Sequence, residues 1–401
     1  MGPEQPQVET RRELFDYLEE QMNRAYRQVL QTARLEREST YVKTYMLEFD
    51  WNSDGGASSE AEFLSSALTV PPAGGAHECA PAVIETKERG FFIVDWQRPS
   101  GPLRLYLDTT SDPHRRFWLA YSLSDAARTD ILLDQLARAR PRLDRVWLWP
   151  DLLRAVQAKG EFRGFGLDYD YRRFEAKEGK RDSTDYFKAQ FWGGAETEQV
   201  LDFIEGKFRK KTVIGKVRMK YWDPENGDQD FSLEDIKYNG KFTTRGTSFG
   251  THQVLVSWLR DRYEETIQRI EQAHVTRTTP RADGGSPEGD PIYFVFDEGQ
   301  QIPNLDVFCE VVFSGHLPFR LWGIPRATAA GDDGRLVSAV DLHTGSKLSF
   351  EIYQDMMCMY LHQGACGNTA ARFFTNIQHA FSRLVRAEDN EGHIVFQSGH
   401  D

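Results

Sequence analysis

Cysteine is scarce in this chain: Cys79, Cys309, Cys358 and Cys366 are the four in 401 residues, and none stands in a C-x-x-C pair. That excludes a disulfide framework and a zinc site of the usual spacing, and it fits a reducing cytoplasm. His362 and Cys366 are four apart, but no other Cys/His set follows at ligand spacing. Long apolar runs are also missing, and nothing approaches the roughly 18 residues of a membrane span. The opening Met-Gly-Pro-Glu-Gln-Pro has neither a basic nor an apolar region, so no secretory signal is expected. No Walker loop, strand–G-x-G-x-x-G–helix unit, G-x-S-x-G elbow, H-E-x-x-H pair or EF-hand loop is present, and no cofactor is expected.

Positive charge is in deficit. The net charge is −12, and it is unevenly spread. Lys+Arg against Asp+Glu gives 20 − 24 = −4 over residues 1–159, 21 − 21 = 0 over 160–280, and 8 − 16 = −8 over 281–401. A general attraction to nucleic acid or anionic membrane is excluded, so any polyanion site is local to the middle third.

What is present is ample material for more than one core: 40% apolar and 12% aromatic residues over a length that usually divides into domains. Periodicity predicts an α+β, multidomain chain with mixed or antiparallel sheets, flanking helices and a long N-terminal helix. The blocks expected are the helix at 1–38, an α+β domain at 39–158 and a second, loosely similar one at 159–275. A Gly/Pro-rich linker at 276–290, a meander-plus-helix domain at 291–386 and a polar tail at 387–401 follow. In the first helix Phe15, Leu18, Met22, Ala25 and Val29 recur at helical spacing. That stripe serves either its own domain or a homodimer through helix 8–37. Val307–Phe313 reads as a strand, and the last helix is expected from about Asn368 to Val385.

Three segments suggest chemistry. Near the C-terminus, Tyr360-Leu-His-Gln-Gly-Ala-Cys366-Gly runs into a helix. A cysteine at a helix start meets backbone N–H groups and a dipole that favour a thiolate or an anion. His343 and His316 are candidate bases, with His362 also in range, and Asp341 could orient one of them. The Gly-Ala-Cys-Gly backbone or Gln363 could supply an oxyanion donor. The bland alternative is a small buried residue at a tight helix entry.

The second segment is basic: Lys207, Arg209, Lys210 and Lys211, then Lys216, Arg218 and Lys220 alternating with apolar residues up to Trp222. On a strand the last three cations share one face, which could follow a phosphate backbone while Trp222 or Tyr238 stacks on a base. Its alternative is a solvated face answered by Asp and Glu. The third is Glu85-Thr86-Lys87, which would need a second acid, Asp50, Asp54 or Asp95, to hold Mg²⁺ as in a nuclease. The leading expectation is a binding or assembly protein whose partner is a protein or, through residues 207–222, a nucleic acid. A cysteine-dependent hydrolase or transferase on Cys366 comes second and a Mg²⁺-dependent nuclease third.

Overall fold

The structure, a computed structural model, describes residues 6–32, 41–50, 59–71, 79–110, 114–179, 185–194, 196–222, 229–278, 287–297, 299–328 and 331–397. Asp54, the Asp/Gly-rich turn at 223–228 and the centre of the expected linker lie outside the described residues.

The elements open with α1 (Arg11–Thr32), β1 (Val42–Phe49), α2 (Glu60–Ala67), β2 (Ala82–Glu85), β3 (Phe91–Trp96), β4 (Leu103–Asp108), β5 (Phe117–Ser122), α3 (Ala126–Ala139) and β6 (Leu143–Arg145). Next come α4 (Pro150–Gln157), β7 (Glu161–Asp170), α5 (Arg172–Lys177), β8 (Tyr186–Trp192), α6 (Thr197–Phe208), β9 (Ile214–Trp222), β10 (Phe231–Lys237), β11 (Lys241–Gly246) and α7 (Phe249–His274). The last are β12 (Arg277–Thr278), β13 (Pro287–Glu288), β14 (Ile292–Phe296), α8 (Leu305–Val312), β15 (Leu321–Thr328), β16 (Gly331–Asp341), β17 (Lys347–Tyr353), β18 (Met356–Leu361), α9 (Gly367–Ala380) and β19 (Val385–Glu388). The chain is α+β with antiparallel sheets and a long N-terminal helix. No helix among the described residues is long and apolar enough to cross a membrane.

Two compact units result, and neither is a continuous block. The first takes residues 1–146, 159–161 and 218–261; the second takes 147–158, 162–217 and 262–401. Three consecutive domains were expected instead. The chain leaves the first unit after residue 146, touches it again at 159–161 and returns at 218, a non-local path that local periodicity does not report.

In the first unit the strands run β2-β3-β4-β5-β1-β11-β10-β9, with β6 on β1. Every residue of β1 is buried, as a central strand covered on both faces requires. One face packs α2 and α3 through Leu64, Leu68, Leu132, Leu133 and Leu136 against Tyr45, Leu47, Phe49 and Trp118. On the other face lies α1, whose Leu14, Leu18 and Met22 are fully buried. Phe15 meets the rings of Tyr121 and Phe249, and Asn23 Nδ2 donates to the Thr247 carbonyl at 3.1 Å. The stripe read from the sequence is therefore spent inside its own unit. Asn239-Gly240 makes the turn between β10 and β11. Gly240 has φ +74°, and a Cβ there would lie 2.3 Å from Val146 Cγ2.

The second unit holds a six-stranded sheet, β15-β16-β17-β18-β14-β19, and the paired strands β7 and β8. α9 is its central helix, with all fourteen residues buried. Phe373 packs on Phe294 and Phe350 of the six-stranded sheet at 4.9 and 5.3 Å between ring centres. From the same helix His379 Nδ1 donates to the Asp168 carbonyl of β7 at 2.7 Å. Burial on every side requires each polar residue of α9 to find a protein partner.

Two expectations fail here for local reasons. Val307–Phe313 is not a strand: Asn304 Oδ1 accepts from the N–H groups of Asp306 and Val307 at 3.0 and 3.1 Å and starts α8. Its buried residues Leu305, Phe308, Cys309 and Val312 then follow helical spacing. The segment expected as a polar tail from 387 is also built into the unit over its described residues. β19 pairs Ala387 with Phe294 and Val385 with Phe296, while Val395 and Phe396 are buried.

Candidate functional site

Cys366 is the residue before α9, with extended backbone and no side-chain cap bond to the helix. The exposed turn Gln363–Gly364, with Gly364 at φ +81°, delivers it. Gly367 is glycine because the helix start presses on α7: a Cβ there would stand 2.8 Å from the Ile267 carbonyl oxygen. The same approach brings Glu271 Oε1 to 2.7 Å from the Gly367 N–H. A helix start favours an anion, and at α9 the protein supplies one of its own.

His343 lies on the turn between β16 and β17, itself 1% exposed, between the exposed Leu342 and Gly345. One of its ring nitrogens and Cys366 Sγ are within 4.8 Å of each other. Asp341 anchors this turn from inside. Its carboxylate accepts from the His343 backbone N–H at 3.0 Å, from the Thr369 hydroxyl and from the Arg372 guanidinium of α9. Arg372 also donates Nε–H to the Phe319 carbonyl at 2.8 Å. Arg372 and Asp341 form a fully buried ion pair. Asp341 thus holds the histidine's turn rather than its ring, a role the sequence left open. The two turns are tied together, because Ser346 Oγ donates to the Gly364 carbonyl.

The remaining cysteine candidates separate. His316 is exposed on the turn after α8, and His362 Nε2 shares a 2.8 Å hydrogen bond with Ser349 Oγ. The Ala365 N–H is taken by the His362 carbonyl at 2.8 Å and the Gly367 N–H by Glu271. Two of the expected backbone oxyanion donors are therefore engaged, while Gln363 is exposed. The four cysteines form no disulfide. Burial pushes Cys309 up to about 12 and Cys358 to about 11, so neither is a thiolate near neutrality. His379, thirteen residues into α9's sequence from Cys366, is pushed down to about 4 by burial and stays neutral.

The expected basic face does not stand as a row of exposed cations. Lys216 is buried, with Nζ 4.7 Å from the Trp192 ring centre. Arg218 is paired through two nitrogens with Asp235, and Lys220 Nζ sits 4.4 Å from the Phe231 ring centre and 5.8 Å from that of Trp222. Lys211 pairs with Asp185. Lys207, Arg209 and Lys210 are exposed at the end of α6 and the 3-10 turn that follows it. The alternation was read correctly, but acids and aromatic rings answer the charges.

The nuclease set is dispersed as well. Asp95 pairs with Ala82 in the register and Glu85 with Phe92, so the two acids face opposite sides of the sheet. Arg104 binds Asp95 at 2.6 Å, and Lys87 is paired with Glu9 at the surface.

One arrangement had no sequence signal, since its residues lie far apart in the chain. In the first unit His252 Nε2 is 2.8 Å from Thr44 Oγ1, and Nδ1 is 2.9 Å from Glu234 Oε1, which also accepts from Thr244 Oγ1 at 2.9 Å. The order hydroxyl–imidazole–carboxylate is that of a nucleophile relay. All four residues are fully buried, and the network joins β1, β10, β11 and α7.

A family profile described as MJECL33-like protein matches residues 3–392. An uncharacterized protein, MJECL33, of Methanocaldococcus jannaschii is 27% identical over 417 residues, covering 95% of this chain and 94% of its own. No solved structure matches.

Proposed function

We propose that this chain, which belongs to the MJECL33-like family, is a cysteine-dependent hydrolase or transferase with Cys366 as nucleophile and His343 as base. The observation that carries the reading is the approach of a His343 ring nitrogen to within 4.8 Å of Cys366 Sγ. Such pairs are often long without substrate and tighten when it binds. In the reaction His343 takes the thiol proton as sulfur attacks an acyl carbonyl. The new S–C bond replaces the bond to the leaving group, which receives that proton, and water or an acceptor then releases the acyl group. Asp341 and Arg372 are positioning residues that hold the histidine's turn against α9. Cys366 is 8% exposed, so substrate entry requires local movement around the sulfur.

The test uses a small activated acetyl ester and peptide mass. One acetyl group should accumulate on Cys366 of the folded protein, and His343→Ala should slow this by about 10²–10⁴-fold. Acetylation only after unfolding, or at the same rate without the imidazole, overturns the proposal.

A second reading keeps the binding function, narrowed to a polyanion on the exposed Lys207, Arg209 and Lys210. It predicts salt-sensitive retention on heparin that a triple Gln variant loses. Unchanged retention by that variant removes it.

A further inference from the structure

The face of the six-stranded sheet turned away from α9 carries a paired serine and imidazole. Side chains alternate along β17. Leu348, Phe350 and Ile352 are buried in the core, so Lys347, Ser349 and Glu351 share the opposite face. Ser349 Oγ lies 2.8 Å from His362 Nε2, and both residues are half-buried. That is the reach required between a nucleophile and its base. With the ring proton on Nδ1, Nε2 accepts from the hydroxyl. Glu351, the acid on the same strand face, is engaged by the Tyr360 hydroxyl at 3.0 Å.

The register of the strands builds a groove leading from this pair. Ser349 stands opposite Ser338 of β16, and Ser338 opposite Ile324 of β15. Directly opposed residues point to the same side of a sheet. On one flank run Trp322, Val340 and Lys347, and on the other Arg326, Leu336 and Glu351. Two serines therefore lie low between two rows of larger side chains. The row ends on Ile324, two strand spacings or about 10 Å from Ser349. Trp322 and Ile324 are each 50% exposed and Leu336 is 43% exposed, and apolar side chains gathered at the surface mark a place of contact.

We infer that Ser349 and His362 form a second hydrolytic site, acting on an ester of an apolar carboxylic acid whose chain lies along Ser338 and Ile324. His362 Nε2 takes the hydroxyl proton as Ser349 Oγ bonds to the acyl carbon. The bond to the alcohol oxygen breaks, and the alcohol leaves with that proton. Water then attacks the acyl-serine, giving one proton through His362 back to Oγ and releasing the acid. Lys347 brings a positive charge to the face on which the oxyanion forms. The site does not rest on Cys366 or on thiol chemistry.

The experiment treats the folded full chain with an alkyl fluorophosphonate and locates the adduct by peptide mass. One phosphonyl group should attach to Ser349 as fluoride leaves. His362→Gln keeps a hydrogen bond to the hydroxyl but no base, and should slow the labelling by about 10²–10⁴-fold. The chain should hydrolyse p-nitrophenyl octanoate faster than p-nitrophenyl acetate. Ser349→Ala should lose the octanoate activity, and Ile324→Ser should lose only the preference for octanoate. None of these three residues is buried, so each variant is expected to keep the wild-type circular dichroism spectrum and melting temperature. Cys366→Ser should be labelled and turn over octanoate as wild type does, which separates this result from the fate of the thiol proposal. Absence of an adduct on Ser349, equal labelling in His362→Gln, or octanoate hydrolysis unchanged in Ser349→Ala overturns the inference and leaves an ordinary cross-strand hydrogen bond.

Discussion

Lowering the pH from 7 to 4 should cost this protein about 3 kcal/mol through one side chain, His379. Its imidazole is enclosed in α9, and burial holds its folded pKa at about 4 against 6.5 for a free histidine. Nδ1–H donates to the Asp168 carbonyl, a bond the neutral ring makes without charge. Between those pH values the unfolded chain binds a proton that the folded one refuses. Stability is therefore complete above about pH 6.5 and declines as pH falls toward 4. About 1.4 kcal/mol per pH unit over this interval gives the total. The assay is urea unfolding followed by tryptophan fluorescence at half-unit pH steps, compared with His379→Asn. Asparagine can place Nδ2–H where the imidazole has Nδ1–H, so it keeps the donor and removes the titration. The difference in stability between the two proteins should narrow as pH drops from 6.5 to 4. A constant difference across that range would refute the linkage and leave the acid sensitivity to other groups.

Arg372→Met should lose about 3–5 kcal/mol, since it strands the buried Asp341 carboxylate, whereas Arg372→Met with Asp341→Leu should recover part of that loss in the same melts. His252→Ala should cost a similar amount by leaving Glu234 buried without its imidazole partner; a cost below 1 kcal/mol would mean water reaches that carboxylate. Gly367→Ala should destabilise by about 1–3 kcal/mol and alter Cys366 alkylation, because its methyl meets the Ile267 carbonyl at 2.8 Å. Wild-type stability in this variant would show that the α7–α9 contact yields easily.

Much of the fold was legible wherever one period dominated. The stripe of α1 carried a local rule that tertiary context did not override. α8 was misread because Leu-Asp-Val-Phe-Cys-Glu-Val-Val suits either period, and the decision rested on a single capping residue, Asn304. β19 was missed because only two of its residues point inward, too few to register as a pattern. At the candidate site the sequence pointed to Cys366 and offered three histidines without choosing among them. That choice follows from the β16–β17 turn lying against α9, a contact between residues more than twenty apart. Arg372 reaches Asp341 from its place along α9, a contact that no spacing within the helix announces. The basic segment shows the opposite limit: alternation gave the correct face, but Asp235, Trp192 and Phe231, which occupy its cations, belong to other strands.

The position of α9 in the chain also governs the order in which the second unit can form during synthesis. Residues 367–380 leave the ribosome after every strand of the six-stranded sheet except β19. Until then Phe294, Phe350 and their neighbours have no helix to cover them, and the first unit is already complete to residue 261. Domains synthesised early fold first, while uncovered sheets invite association with other chains. The nascent protein therefore passes through a stage with one finished unit and one open apolar sheet, the form a holding chaperone would recognise.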